Sequence, residues 1–351
     1  MQRASLLQIV RQPAIWILGA FLFLVVLEMV FWAGDRQPFP SVISGSILYP
    51  VGLALLAYVL VFRGTDHYAN FKVFLAAFSG AAGVATLFLL SKRPLLFDTM
   101  AAEDGFIENL SAAALFVGAA VFLMVAIGRM KRRNVLPAGI AAAFAVVLFV
   151  IGMEEISWMQ RVFNFETSDY FIERNIQNEM NLHNFDTGLT EKVFYFGGFL
   201  TLIVMPFFHG PLVDFLRQRK MPEVAALLPE PWVLVPSSMM VGYVGTSVTG
   251  DPTAGIAAMV TAFILFRLAV SNVWAGNLPK FMVYAAFLVL VCVMAYYFTT
   301  YDYASVGIRR WARKEYLELI IALGLMGWAV SALHQSVTLD ESRGRGEPLS
   351  E

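Results

Sequence analysis

Apolar runs of about 20 residues recur along this chain, each long enough to cross a bilayer as a helix. They fall at 13–33, 43–63, 71–91, 106–128, 135–158, 193–216, 231–249, 254–275, 280–300 and 315–334. The pattern predicts an all-α polytopic membrane protein of about ten transmembrane helices. Composition agrees: 58% of the residues are hydrophobic and 15% charged, against about 25% charged in soluble domains. That balance excludes a soluble globular enzyme, a disordered chain and a collagen-like fibre. Cys292 is the sole cysteine, so no disulfide framework is available. A net charge of -1 leaves no basic surface for nucleic acid.

Residues 1–334 are expected to form a single transmembrane domain with one longer polar insertion at 160–192. The polar stretch 335–351, with Gly344 and Gly346, is expected to be a disordered cytoplasmic tail. The first run does not read as a cleaved signal peptide, because Glu28 interrupts it and no small-x-small site precedes Gly34-Asp35-Arg36. If the spans alternate, one side collects 14 of the 25 lysines and arginines and the other 10, with Arg267 inside a span. The richer side carries the N-terminus, which is therefore expected in the cytoplasm. The cluster Arg309–Lys314 falls on the outer side and breaks the trend.

Charges inside spans are costly, so each one calls for a partner. Alternation gathers most acids at the outer end. Glu103, Asp104 and Glu108 open the fourth span, with Asp104 and Glu108 one helical turn apart. Acids in a first turn also complement the helix dipole, which is the structural alternative. Glu154 and Glu155 close the fifth span; adjacent helical residues point about 100° apart, so they cannot share one environment. Spacing places Arg161 within reach of Glu154, as a packing ion pair or as part of a reactive site.

The insertion then supplies Glu179 and His183, spaced to bind one ion or pass one proton if helical. Asn175, Gln177, Asn178, Asn181 and Asn184 surround them, with apolar anchors Ile176, Met180, Leu182 and Phe185. This composition suits a structured polar cap better than a disordered loop. A capped surface helix is the simpler alternative. His67, His209 and His334 stand alone and read as packing or interfacial residues. Arg267 requires a buried acid or water, with Glu28 a candidate partner. Arg309 and Arg310 follow the aromatic belt Tyr296, Tyr297, Tyr301 and Tyr303, and read either as snorkelling cations or as a clamp for a lipid phosphate.

Glu154-Glu155-Ile156-Ser157-Trp158-Met159-Gln160-Arg161 and Asn175-Ile176-Gln177-Asn178-Glu179-Met180-Asn181-Leu182-His183-Asn184 together resemble a motif of uncharacterised bacterial multi-pass membrane proteins. The shared pattern is Glu-Glu-Ile-Ser-Trp-x-Gln-Arg, then Asn-x-Gln-x-Glu-x-Asn-Leu-His-Asn, and Glu103-Asp104-Gly105 fits it. The resemblance implies a bacterial cytoplasmic membrane and no particular reaction. Glu154 and Glu155 also resemble, more distantly, the Glu-Glu-x-x-x-Arg helix of prenyl-protein-protease-like glutamate intramembrane proteases. Here five residues separate Glu155 from Arg161, and the later histidine motifs of that family are missing.

Three functions remain open. One is a membrane enzyme acting on a lipid or lipid-linked substrate. In it Glu154, Glu155, Glu179 and His183 bind a divalent metal or act as acid and base, and Asp104 and Glu108 join as further ligands. Such donors suit Zn, Fe or Mn better than Cu. The second is a non-catalytic subunit or assembly factor that docks a membrane-complex partner through the polar cap. The third is an ion-coupled transporter using Glu28, Glu108, Glu154 and Arg267.

Overall fold

The computed structural model describes residues 66–102, 105–159, 166–167, 187–244 and 252–345. The two expected spans before residue 66 lie outside the described residues, and so do Glu28, Glu103, Asp104, Arg161 and the whole Asn175–Asp186 motif. Every regular element among the described residues is helical. The chain divides into two compact units, residues 1–78 and 79–351. In the first, Asp66 caps the incoming helix by accepting from the Ala69 N–H at 2.9 Å, and Lys72 stacks on Tyr68.

The elements are α1 (His67–Lys92), α2 (Pro94–Met100), α3 (Phe106–Lys131), α4 (Val135–Glu155), α5 (Thr187–Phe199), α6 (Met205–Phe207), α7 (His209–Gln218), α8 (Pro222–Ala225), α9 (Leu234–Ser237), α10 (Met240–Val244), α11 (Pro252–Trp274), α12 (Leu278–Thr300) and α13 (Ala312–Gly344). Six of them are long and apolar enough to cross a membrane: α1, α3, α4, α11, α12 and α13. A seventh crossing is available if Glu191–Phe207 and α7 count as one span bent by 79°. The chain is a multi-pass helical membrane protein.

Two expected spans are broken, and prolines explain both. Pro206 lacks the N–H that would continue the ladder, and the preceding residues Leu200–Val204 relax into a π turn. Phe208 then leaves helical geometry and α7 departs in a new direction, with Pro211 tolerated in its first turn. The 231–249 run is not one helix. Pro231 opens a 3-10 turn, Pro236 lies within α9, and α10 follows after a break. Even so, this stretch runs antiparallel beside α13. Glu230 N–H donates to Ser331 Oγ at one level, Ser237 Oγ faces Gly324 at the next, and Tyr243 stacks on Tyr316 at the last.

The core is the α3–α4–α13 trio. Trp328 of α13 packs edge-on against Phe122 and Phe144 from the other two helices. Its indole N–H donates to Leu227 O at 2.7 Å. A Cβ on Gly324 would come 2.5 Å from Ser237 Oγ and 2.7 Å from a Leu202 methyl, so the closeness of three segments depends on a missing side chain. Gly324→Ala is expected to cost about 1–3 kcal/mol through overpacking. The check is a lower unfolding temperature in detergent, with Gly128→Ala, which meets no neighbour, as the unaffected control.

The C-terminal stretch departs from expectation. Helix α13 continues to Gly344, so 335–344 is helical rather than disordered. Its 33 residues span roughly 50 Å, well beyond a hydrocarbon core of about 30 Å. Polar anchors hold the overhang. Arg129 donates to Asp340 at 2.9 Å and to Ser336 O at 3.2 Å, Arg132 pairs with Asp340 at 3.1 Å, and Arg343 pairs with Glu223 at 2.6 Å. Burial alone would raise the Glu223 pKa, but the hydrogen bond from Arg343, a backbone hydrogen bond and the charges of Arg343 and Arg129 together hold the carboxyl below its ordinary value.

Candidate functional site: an acidic end of the bundle

The first turn of α3, the last turn of α4 and the first turns of α13 meet at one end of the bundle. Contacts along the helices fix this: Gly152 lies against Leu115 and Phe116, Gly118 against Leu148 and Met326, and Tyr316 donates to Phe97 O at 2.9 Å. Each element delivers an acid. Glu108 comes from α3, Glu154 and Glu155 from α4, and Glu315 and Glu318 from α13. All four others act electrostatically on Glu155. Glu155 is half-buried and stands at the convergence.

Their positions are not electrostatically equivalent. Glu108 and Glu315 sit in first turns, where the positive end of the helix dipole favours them. Glu154 and Glu155 sit at the C-terminus of α4, where the dipole disfavours them. Glu155 also feels Glu154 and three further carboxylates, and like charges in a water-poor setting repel strongly. Nothing in helix formation calls for acids there.

The backbone beyond them is strained as well. Ser157 (φ 45°) and Trp158 (φ 56°) are consecutive left-handed residues without glycine. Such residues cost roughly 1–2 kcal/mol each. The helix was expected to run to 158 and align Glu154, Trp158 and Arg161 on one face; it stops at Glu155 instead. The turn brings the Trp158 indole N–H to Glu154 Oε1 at 2.6 Å. Gly105 opens α3, and its N–H donates to Ala102 O at 2.7 Å. A Cβ there would lie 2.3 Å from that same oxygen, so position 105 requires glycine.

Other groups support the acids. Tyr195 of α5 donates to Glu318 Oε1 at 2.7 Å. Lys314 Nζ reaches both oxygens of Glu191 at 2.7 Å, tying the start of α13 to α5. Arg309 is committed to Asp98 of α2: its Nε and backbone N–H donate to Oδ1 at 2.8 and 3.0 Å, and Nη2 donates to Asp98 O at 2.7 Å. Arg309 also lies over the Trp311 ring, whereas Arg310 is exposed. Tyr303 is buried below them; burial pushes its hydroxyl up to about 12 despite the nearby Arg313 and Arg310.

Of the residues singled out in the sequence, Glu108, Glu154 and Glu155 come together here. Asp104, Glu179 and His183 lie outside the described residues. Among the described residues, no three His, Cys, Asp or Glu side chains are arranged to hold a metal ion. Arg267 is exposed near the far end of α11 and lies over the Phe207 ring. His209 is satisfied by Pro229 O at 2.9 Å. Glu315, Glu318 and Tyr195 were not anticipated. The available signal was Glu315-x-x-Glu318, two acids one turn apart at the mouth of an apolar run.

No family model, curated protein or solved structure matches the chain.

Proposed function

We propose that the acidic end is a cation-binding site of a membrane enzyme that acts on a lipid or lipid-linked substrate. The observation that carries this reading is the gathering of five carboxylates from three helices around Glu155, two of them held against their own helix dipole. Such an arrangement costs stability, and a bound cation offsets that cost. In this reading Glu179, His183 and Asp104, assigned from the sequence, would be the further donors. A carboxylate-rich set with one imidazole favours Zn, Fe or Mn. Glu155 would help hold such an ion, which would supply an activated water, or would itself accept a proton from that water, and Tyr195 orients Glu318. Arg310, exposed beside this end, is the cation placed for a substrate phosphate. Elemental analysis of the purified protein, with Glu155→Gln and His183→Ala beside the wild type, tests the site.

A finer topology goes with this reading. The 231–244 stretch follows α13 from Ser331 to Tyr316, and so serves as a crossing despite its breaks. With Glu191–Phe207 as a further crossing, from which α7 turns away, and the two apolar runs before residue 66, the total is ten spans. The 160–192 insertion then forms a polar cap over the acidic end, on the outer side of a bacterial cytoplasmic membrane. Cys292 is the sole cysteine, so a Cys292→Ser background makes the test direct. Ser305→Cys is expected to react with an impermeant thiol reagent on intact cells, and Arg133→Cys only after lysis. The opposite pattern would invert the topology.

The alternative reading is a non-catalytic subunit or assembly factor of a membrane complex. In that case the polar cap is a docking surface, and a partner co-purifies while no metal does.

A further inference from the structure

A second charged site lies at the opposite end of the bundle, where α3 ends and α13 overhangs. There a cavity of about 790 Å³ opens between α7, the turn after it, α8 and the end of α13. Arg217, Lys220 and Arg343 line it together with Asp214 and Glu223. Glu223 pairs with Arg343 at 2.6 Å, and the three cations of the lining outnumber its two acids by one. The lining is therefore net cationic.

Helix α7 places this groove at the membrane surface. It leaves the preceding helix at 79°, too steep a bend for both halves to follow one crossing. Phe208, Leu212 and Phe215 fall on one face at i, i+4, i+7, with Phe208 and Phe215 48% and 50% exposed. Arg219 lies over the Phe215 ring at 4.6 Å. An apolar edge with cations at its end is the signature of a helix lying in the interface, its aromatic side toward acyl chains. Lys220 then takes a left-handed turn (φ 60°) and leads the chain into α8.

We propose that this groove binds the phosphate headgroup of an anionic phospholipid, its acyl chains lying along Phe208 and Phe215. Arg217 and Lys220 supply the charge that selects the anion, and Asp214 moderates it. The surrounding surface is basic too, with Lys131, Arg132 and Arg133 ending α3 at the same level. A water-soluble phosphate would use the same cations but not the aromatic edge.

Native mass spectrometry of the full chain in neutral detergent tests this, with phosphatidylglycerol or phosphatidylcholine added. Phosphatidylglycerol is expected to be retained about fivefold more than phosphatidylcholine. Arg217→Gln/Lys220→Gln should remove that preference, and Lys131→Gln/Arg133→Gln should keep it. Asp214→Asn, which subtracts an acid, should strengthen retention and serves as the test should the double variant fail to fold. Equal retention of the two lipids, or no change in both the double variant and Asp214→Asn, overturns the proposal. Displacement of phosphatidylglycerol by glycerol phosphate at the lipid's own concentration overturns it in favour of a soluble phosphate.

Discussion

Asp340→Ala is expected to lower the unfolding temperature in detergent by roughly 5–10 °C. Arg129 is 1% exposed and its Nε has no hydrogen-bond partner, so its charge is compensated chiefly by Asp340 and by Ser336 O. Removing the carboxylate leaves a buried, unpaired guanidinium, which typically costs about 3–5 kcal/mol. Asp340 is itself 18% exposed, which places the effect toward the lower end. Arg132→Ala removes the other partner of Asp340, but that side chain is 54% exposed, and the cost should stay below about 1 kcal/mol. Equal effects of the two substitutions would show that the overhang of α13 is held by packing instead of by the buried pair. Truncations at Arg343 or Glu223 should couple with Asp340→Ala, because Arg343 lies one helical turn from Asp340 and Arg129 also acts on Glu223.

Glu318→Gln is expected to move stability in opposite directions with and without a bound cation. The amide keeps the acceptor for Tyr195 and removes one of the charges acting on Glu155. In chelator-treated protein the loss of repulsion should raise stability by about 1 kcal/mol. In cation-loaded protein the same change weakens the site, so the stabilisation given by added metal should shrink. A tenfold weaker affinity corresponds to about 1.4 kcal/mol at saturating ligand. Glu155→Gln should show the larger version of this crossover, since four carboxylates act on it. Thermal unfolding with and without added Zn, Fe or Mn reads both arms. If both variants destabilise equally in the two conditions, the acids are packing elements and the cation-site reading fails.

The membrane class was legible because its cause is local: a run of about 20 apolar residues can satisfy its backbone only as a helix. Breaks within runs were partly legible. Pro231, Pro236, Ser237 and Ser238 marked the 231–249 run as irregular, and the structure breaks it there. The bend at Phe208 was not drawn from Pro206 and Pro211, although both were present, because kinked helices tolerate proline as often as they break. Glu108, Glu154 and Glu155 were found because a charge at a span end is costly wherever it stands. Glu315 and Glu318 escaped for the opposite reason. Their significance comes from the helices they face, and no spacing along the chain encodes that contact. Arg309 was singled out, but its pairing was not: its partner Asp98 lies far away in sequence, and only folding joins them. The 335–344 stretch looked like a tail because its polarity was read without the Arg129–Asp340 and Arg343–Glu223 pairs that hold it.

The most direct test is elemental analysis of the full chain purified without chelator, alongside Glu155→Gln, Glu179→Ala and His183→Ala. A cation site at the acidic end requires about one equivalent of Zn, Fe or Mn per wild-type chain. Each variant should lose most of it while still eluting as folded protein. The contradicting result is a wild type without stoichiometric metal even after loading, or a metal content that all three substitutions leave unchanged.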